Sequence, residues 1–215
     1  VIDGSYRLQC QRTQRSQDVR FGTPIILHTS NIYLIRAPSG YGKSTLLDSI
    51  CGLIPESQLS VTSFGKAIPS NVMRENISYC YQGATLFPST LEDNITLKGL
   101  PNSGRLKRLY ELFELEGVFG GYPSALKREI TERGLELSGG EIQRVLLART
   151  FYPERLIYFL DESFSSLDQS SERRILDGIR DFVGKGSIIL LVSHRTETNS
   201  AVDEIIDLSQ MLGED

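Results

Sequence analysis

Apolar stretches alternate with amphipathic ones along the chain, a pattern that predicts a mostly parallel sheet covered by helices. Residues 31–36 contain Ile32-Tyr33-Leu34-Ile35, a short apolar run that reads as a buried strand. It feeds into Ala37-Pro38-Ser39-Gly40-Tyr41-Gly42-Lys43-Ser44-Thr45 and then into a helix near 44–51, which Gly52 and Pro55 stop. Residues 58–64 and 77–81 predict two more strands. From about 90 to 134 the period turns helical. Leu106, Leu109, Tyr110, Leu112 and Phe113 make an apolar face there, with Lys107, Arg108 and Glu111 outside it. Ser138 opens another helix, carrying Ile142, Val145, Leu146 and Arg149. Residues 156–160 predict a strand buried on both faces, 168–183 a helix, 187–192 a strand and 204–208 a last one. There is no internal repeat, heptad pattern or low-complexity linker.

At 215 residues the chain suits one α/β domain with a smaller lobe and can bury a real core. A net charge of −4 gives no nucleic-acid footprint, and Arg12, Arg15 and Arg20 read as solvated surface. Three cysteines, Cys10, Cys51 and Cys80, have spacings that suit neither a metal pair nor a disulfide framework, so reduced thiols are expected. No apolar run reaches the length of a membrane span, and no secretory leader is read. The chain opens on Val1 rather than Met, so a longer parent polypeptide is expected.

Two segments carry chemistry. In the glycine loop, Gly40 and Gly42 permit backbone conformations that turn N–H groups toward anionic oxygens. The helix that follows adds its positive end. Lys43 is placed to reach β- and γ-phosphates and Ser44 to hold Mg²⁺, with Ser39, Tyr41 and Thr45 completing the cradle. Ala37 stands where the commonest form of this pattern has Gly. The second segment, Leu156-Ile157-Tyr158-Phe159-Leu160-Asp161-Glu162, delivers carboxylates at a strand end. Asp161 suits a Mg²⁺ partner and Glu162 a general base for an attacking water. Alone, this segment reads equally well as a strand ending in two capping acids.

Between them lies Leu137-Ser138-Gly139-Gly140-Glu141, followed by Gln143-Arg144. Alone it is an ordinary N-capped helix start. In this order the three motifs resemble the ATP-binding cassette (ABC) ATPases over residues 21–208. The resemblance implies a P-loop NTPase core with a mostly parallel sheet, an N-terminal antiparallel β region and a helical signature subdomain. It divides the chain into a core at about 1–84 and 151–215 and a helical subdomain at about 85–150. It implies ATP and Mg²⁺ as cofactors, and Ser138, Gly139 and Gly140 as a signature binding the γ-phosphate held by a second cassette. That cassette would sit head-to-tail, in a homo- or heterodimer. Gln82 is similar to the Q-loop glutamine, which senses Mg²⁺ and the attacking water. Ser165-Ser166-Leu167-Asp168 resembles the D-loop that crosses the dimer interface, and His194 the switch histidine that contacts the γ-phosphate. Phe21 best matches the aromatic on which the base stacks, with Tyr6 as its rival; His28 matches nothing.

The segment 85–95, Thr131-Glu132-Arg133-Gly134 and Ser193-His194-Arg195 resemble exporter cassettes. The expectation is therefore an ATPase that powers export through a transmembrane-domain partner, peripheral at the cytoplasmic face of a membrane and without a nucleic-acid partner. The alternative is a non-transport ABC ATPase that remodels nucleic-acid or ribosomal complexes. Against it stand the missing coiled-coil insertion and the absence of a second cassette with basic linkers. A third reading, a switch that binds nucleotide without turnover, is disfavoured by the presence of Glu162, Gln82 and His194 together.

Overall fold

A computed structural model of the chain describes residues 5–10, 25–38, 40–54, 59–131, 137–183, 186–193, 195 and 197–211. The strands are β1 (Ser5–Cys10), β2 (Ile25–His28), β3 (Ile32–Arg36), β4 (Leu59–Ser63), β5 (Lys66–Ala67), β6 (Ile77–Cys80), β7 (Ser89–Thr90), β8 (Glu129–Ile130), β9 (Ile157–Asp161), β10 (Ile188–Val192) and β11 (Glu204–Asp207). The helices are α1 (Lys43–Ile50), α2 (Ser70–Glu75), α3 (Leu91–Thr96), α4 (Ser103–Leu112), α5 (Glu116–Phe119), α6 (Gly139–Phe151), α7 (Gln169–Val183) and α8 (Leu208–Met211). Short 3₁₀ turns fill Ser124–Lys127 and Glu197–Ala201.

The main sheet has the order β11-β3-β10-β9-β6, and every pairing in it is parallel. A second sheet, β2-β1-β4-β5, is antiparallel. This is the predicted α/β architecture with its N-terminal antiparallel region. The segment predicted as helical at 90–134 carries three helices and also the strand pair β7–β8, which the helical period gave no reason to expect.

Alternate residues of the central strands go to different cores. Ile32, Leu34, Tyr158, Leu160, Ile189 and Leu191 pack with α3, α4, α6 and α7. Tyr33, Ile35, Ile157, Phe159, Ile188, Leu190 and Val192 pack with Leu46, Leu47 and Ile50 of α1 and with Ile25 and Leu27 of β2. A strand that feeds two cores must be apolar at every position, which explains the unbroken runs in the sequence. In α4, Leu106, Leu109 and Tyr110 are buried as predicted, Phe113 lies just past the helix end, and Leu112 is only partly buried.

Two arginine-centred contacts join the helices. Arg149 of α6 bonds the Asn94 backbone oxygen, Asn94 Oδ1 and the Thr85 carbonyl at 2.7–2.9 Å, and so ties α6 to the segment after Gln82. Glu114 accepts from Arg174 and Arg144, which hold its carboxyl below the ordinary range. A depressed carboxylate pKa contributes stability above the unfolded value, about 4.3, and loses it as pH falls through the folded value. The destabilisation caused by Glu114→Gln in urea melts is therefore expected at pH 7 and should shrink below about pH 4. A pH-independent difference would remove the charge from the explanation.

Candidate functional site

Four parallel strands end at one edge of the main sheet. β3 ends in the glycine loop, β6 before Gln82, β9 at Asp161 and β10 before Ser193. The carboxyl ends of a parallel sheet are where such folds gather ligand groups.

The loop between β3 and α1 has the backbone its glycines predict. Gly40 has φ 83° and Gly42 φ 78°, both left-handed and costly for any side chain. Gly42 also forms the N-terminal cap of α1. Lys43 is buried, its ammonium donating to the carbonyls of Ala37 (2.9 Å) and Pro38 (3.1 Å). The side chain is thus folded under the loop and fixed there by the loop's own backbone. Tyr41, Ser44 and Thr45 are exposed on the same rim.

Ser44 donates to Asp161 Oδ2 at 2.8 Å, so the two residues expected to share a metal stand side by side although 117 positions apart. Asp161 is buried, at 4% exposure. Tyr79 also reaches its Oδ2, at 3.4 Å. Burial, followed by the charges of Asp161 and Asp48, pushes the Tyr79 phenol up, so it remains a neutral donor. Tyr79 carries no motif, and sequence reasoning missed it. Only strand pairing places it, because β6 lies beside β9. Hard oxygen donors of this kind suit Mg²⁺. Among the described residues no group of three or more His, Cys, Asp and Glu side chains is arranged for a metal.

Glu162 follows β9 with φ 51°, a conformation that costs a non-glycine residue about 1–3 kcal/mol. Its backbone N–H donates to the Val192 carbonyl at 3.1 Å. Gln82 Nε2 donates to Glu162 Oε2 at 2.8 Å. Gln82, Glu162, Gly139, Gln143 and Ser166 line a common cleft of about 240 Å³. This bond uses the amide nitrogen of Gln82, the residue expected at the metal; a metal would take its amide oxygen.

Ser138 caps α6 with a full capping box. Its Oγ accepts from the Glu141 N–H, and its own N–H donates to Glu141 Oε2 at 2.6 Å. A Cβ on Gly139 would lie 3.1 Å from Ser166 Oγ, and one on Gly140 3.0 Å from the Ser166 carbonyl. Sequence reasoning assigned these glycines to close approach by a phosphate; within this chain they already admit the segment 165–167. Glycine to alanine in a helix ordinarily stabilises by about 1 kcal/mol. Gly140→Ala is expected instead to destabilise by about 1–3 kcal/mol, because the opposing atom is backbone. An unchanged or higher melting temperature would show that the segment can give way.

Asp168 Oδ1 accepts from Ser170 Oγ and from the Ser171 N–H (2.9 Å), a cap on α7. The Ser170 hydroxyl first, and then Ser171, hold its carboxyl well below the usual range. Phe21, Ser39, His194 and residues 132–134 lie outside the described residues. Cys51 and Cys80 are free and buried. Burial, followed by the Asp48 charge, pushes the Cys51 thiol up to about 12.

A parallel sheet with a glycine loop leading into α1, and an aspartate beside the loop's serine, defines a phosphate-loop NTPase core. Residues 25–165 match the family model described as ABC transporter, and the chain belongs to that family, whose cassettes bind ATP and act as ATPases. It is 28% identical over 210 residues to the ATP-dependent lipid A-core flippase of Burkholderia pseudomallei, covering 96% of this chain and 34% of the flippase. It is 36% identical over 189 residues to the manganese transport system ATP-binding protein MntB of Listeria monocytogenes, covering 83% of this chain and 75% of that protein. A solved bacterial Atm1-family ABC exporter with ATP bound superposes with a TM-score of 0.83 at 26% identity, over 100% of this chain and 39% of the exporter. The chain spans about a third of the length of the first curated relatives it matches. These relatives include both export-type proteins and a metal transport system.

Proposed function

We propose that the chain is the Mg²⁺-dependent ATPase of an exporter, working as one of two cassettes that close head-to-tail on ATP. In this reading about 1–84 and 151–215 form the catalytic core, and 85–150 the helical subdomain. The observation that carries it is the meeting of two pairs at one sheet edge, Ser44 with Asp161 and Gln82 with Glu162. Phosphates take the N–H groups of the loop and the Lys43 ammonium. Ser44, Asp161 and the Gln82 amide oxygen would hold Mg²⁺, which supplies neutralisation of phosphate charge. Glu162 accepts a proton from the attacking water, and the Gln82 amide keeps the carboxylate aimed. Ser138 and the α6 N-terminus serve the nucleotide of the opposite cassette. His194 and Asp168 act at the γ-phosphate and at the dimer interface, and Phe21 stacks on the base.

No helix among the described residues is long and apolar enough to cross a membrane. The chemistry yields a closing motion rather than a modified product, which needs something to ride on it. Beside the exporter-like segment 85–95, Leu97 is 62% exposed and Leu100 94% exposed. The cassette then lies at the cytoplasmic face, held by a partner or fused transmembrane domain, with no nucleic-acid partner. Phosphate release should require Mg²⁺ and stop when it is chelated. Crosslinks from Leu100→Cys in whole membranes should map to cytoplasmic loops of a membrane protein. Crosslinks to nucleic acid or ribosomal protein would replace transport with the remodelling reading.

A further inference from the structure

We propose that Arg195 is a positioning residue that locks the segment 165–167 to the turn after β10, so that both move as one body with Glu162. The proposal rests on the ATPase reading above, and it concerns how a second cassette pressing on this segment would reach the base.

The Arg195 guanidinium spans three acceptors. Nη1 donates to the Leu167 carbonyl at 2.8 Å and to Glu172 Oε2 at 2.9 Å, and Nη2 donates to the Ser165 carbonyl at 2.8 Å. A planar fork meets three fixed acceptors in this way; a lysine ammonium on its flexible stem does not. The anchor is firm. Glu172 is buried, and its other oxygen accepts from Thr198 Oγ1 at 2.6 Å. Thr198 in turn meets Ser193 Oγ at 3.3 Å, and the Arg195 N–H donates to the same Ser193 oxygen at 3.1 Å. Ser193, Arg195 and Thr198 are therefore tied together through Glu172.

The opposite side of the same segment is gripped by α6. Gln143 donates from Nε2 to Ser165 Oγ at 2.8 Å and accepts from the Ser166 N–H, also at 2.8 Å. Gly140 leaves just enough room for the Ser166 carbonyl. Carbonyls 165 and 167 go to Arg195, while residue 166 faces α6, so no residue of the segment can shift alone. Glu162 joins the unit at both ends. Its N–H is bonded to Val192 of β10, and its carbonyl accepts from the Ser165 N–H at 3.1 Å. A displacement of the segment must therefore carry the base and the β10 turn with it, or break charge-assisted bonds.

The test uses the full chain and three variants: Arg195→Lys, Arg195→Ala, and the double change Arg195→Met with Glu172→Gln, which leaves no buried charge behind. Fluorescent-ATP affinity and the thermal melt of Arg195→Lys should stay near wild type. Its kcat should fall by about 10²-fold, the scale of a small misplacement of reacting groups. The double variant should match it. Ethylguanidinium should restore part of the rate to Arg195→Ala and none to Arg195→Lys. Amide exchange over 162–168 should quicken in Arg195→Lys while that of α7 stays unchanged, a readout that does not depend on hydrolysis. Wild-type kcat with unchanged exchange in Arg195→Lys would overturn the proposal. So would equal losses of nucleotide affinity and thermal stability, which would make the contact merely structural. A wild-type chain that binds ATP without hydrolysing it would sink the ATPase reading, while the exchange experiment would still decide the lock.

Discussion

Glu162→Gln is expected to keep ATP binding and to lose turnover by about 10²- to 10⁴-fold. The substitution is close to isosteric, so the Gln82 bond to this side chain can persist and the left-handed backbone gains no new conflict. Only the ability to take a proton from water is removed. In the proposed function the phosphate contacts fall elsewhere, on the loop around Gly40, Gly42 and Lys43, so affinity for a fluorescent ATP analogue should be retained. Single-turnover phosphate release is the deciding measurement. Hydrolysis at the wild-type rate would take the base role from Glu162. Joint loss of binding and hydrolysis would show that the strained turn, rather than the carboxylate chemistry, depends on this residue.

The second large effect separates two roles of Ser138. Because the side chain caps α6, an ordinary replacement costs about 1 kcal/mol of helix stability and confuses folding with function. Ser138→Asp avoids this, since aspartate caps as well as serine and its charge suits a helix N-terminus. The variant should melt within a few degrees of wild type. Its carboxylate would nevertheless face the γ-phosphate of the opposite cassette, and ATPase activity should be abolished. Lys43→Ala should be inactive for a different reason, the loss of the ammonium fixed under the loop. Mixed together, the two inactive chains can build one site with an intact phosphate loop from one copy and an intact signature from the other, and activity should partly return. No recovery in a mixture shown to contain heterodimers would rule out a signature acting in trans.

Much of the molecule was legible before any coordinates. The runs at 32–35 and 156–160 announced strands with no solvated face, because a strand between two cores has no polar positions to spare. Gly40 and Gly42 announced left-handed backbone, a property of the residue type itself. The acids Asp161 and Glu162 and the order of motifs around them pointed to phosphate chemistry and to the family. Local spacing carries all of these, because each depends on neighbours a few positions away.

Pairings between distant segments were decided by the tertiary structure alone. Strand order brings Tyr79 against Asp161 and sets Ser44 within 2.8 Å of that carboxylate. Packing of 165–167 against α6 gives Gly139 and Gly140 a second reason to lack side chains, which no helix-start pattern could suggest. Arg195 reads in the sequence only as the end of the exporter-like Ser193-His194-Arg195, and becomes a three-way anchor where Glu172, Ser165 and Leu167 converge on it. The physical reason is common to all three. A side chain's type sets which bonds it can make, while its partners are set by how the strands and helices pack. The sequence by itself therefore determined the fold class and family and named the candidate groups at the sheet edge; only the tertiary structure decided which residues hold those groups in place.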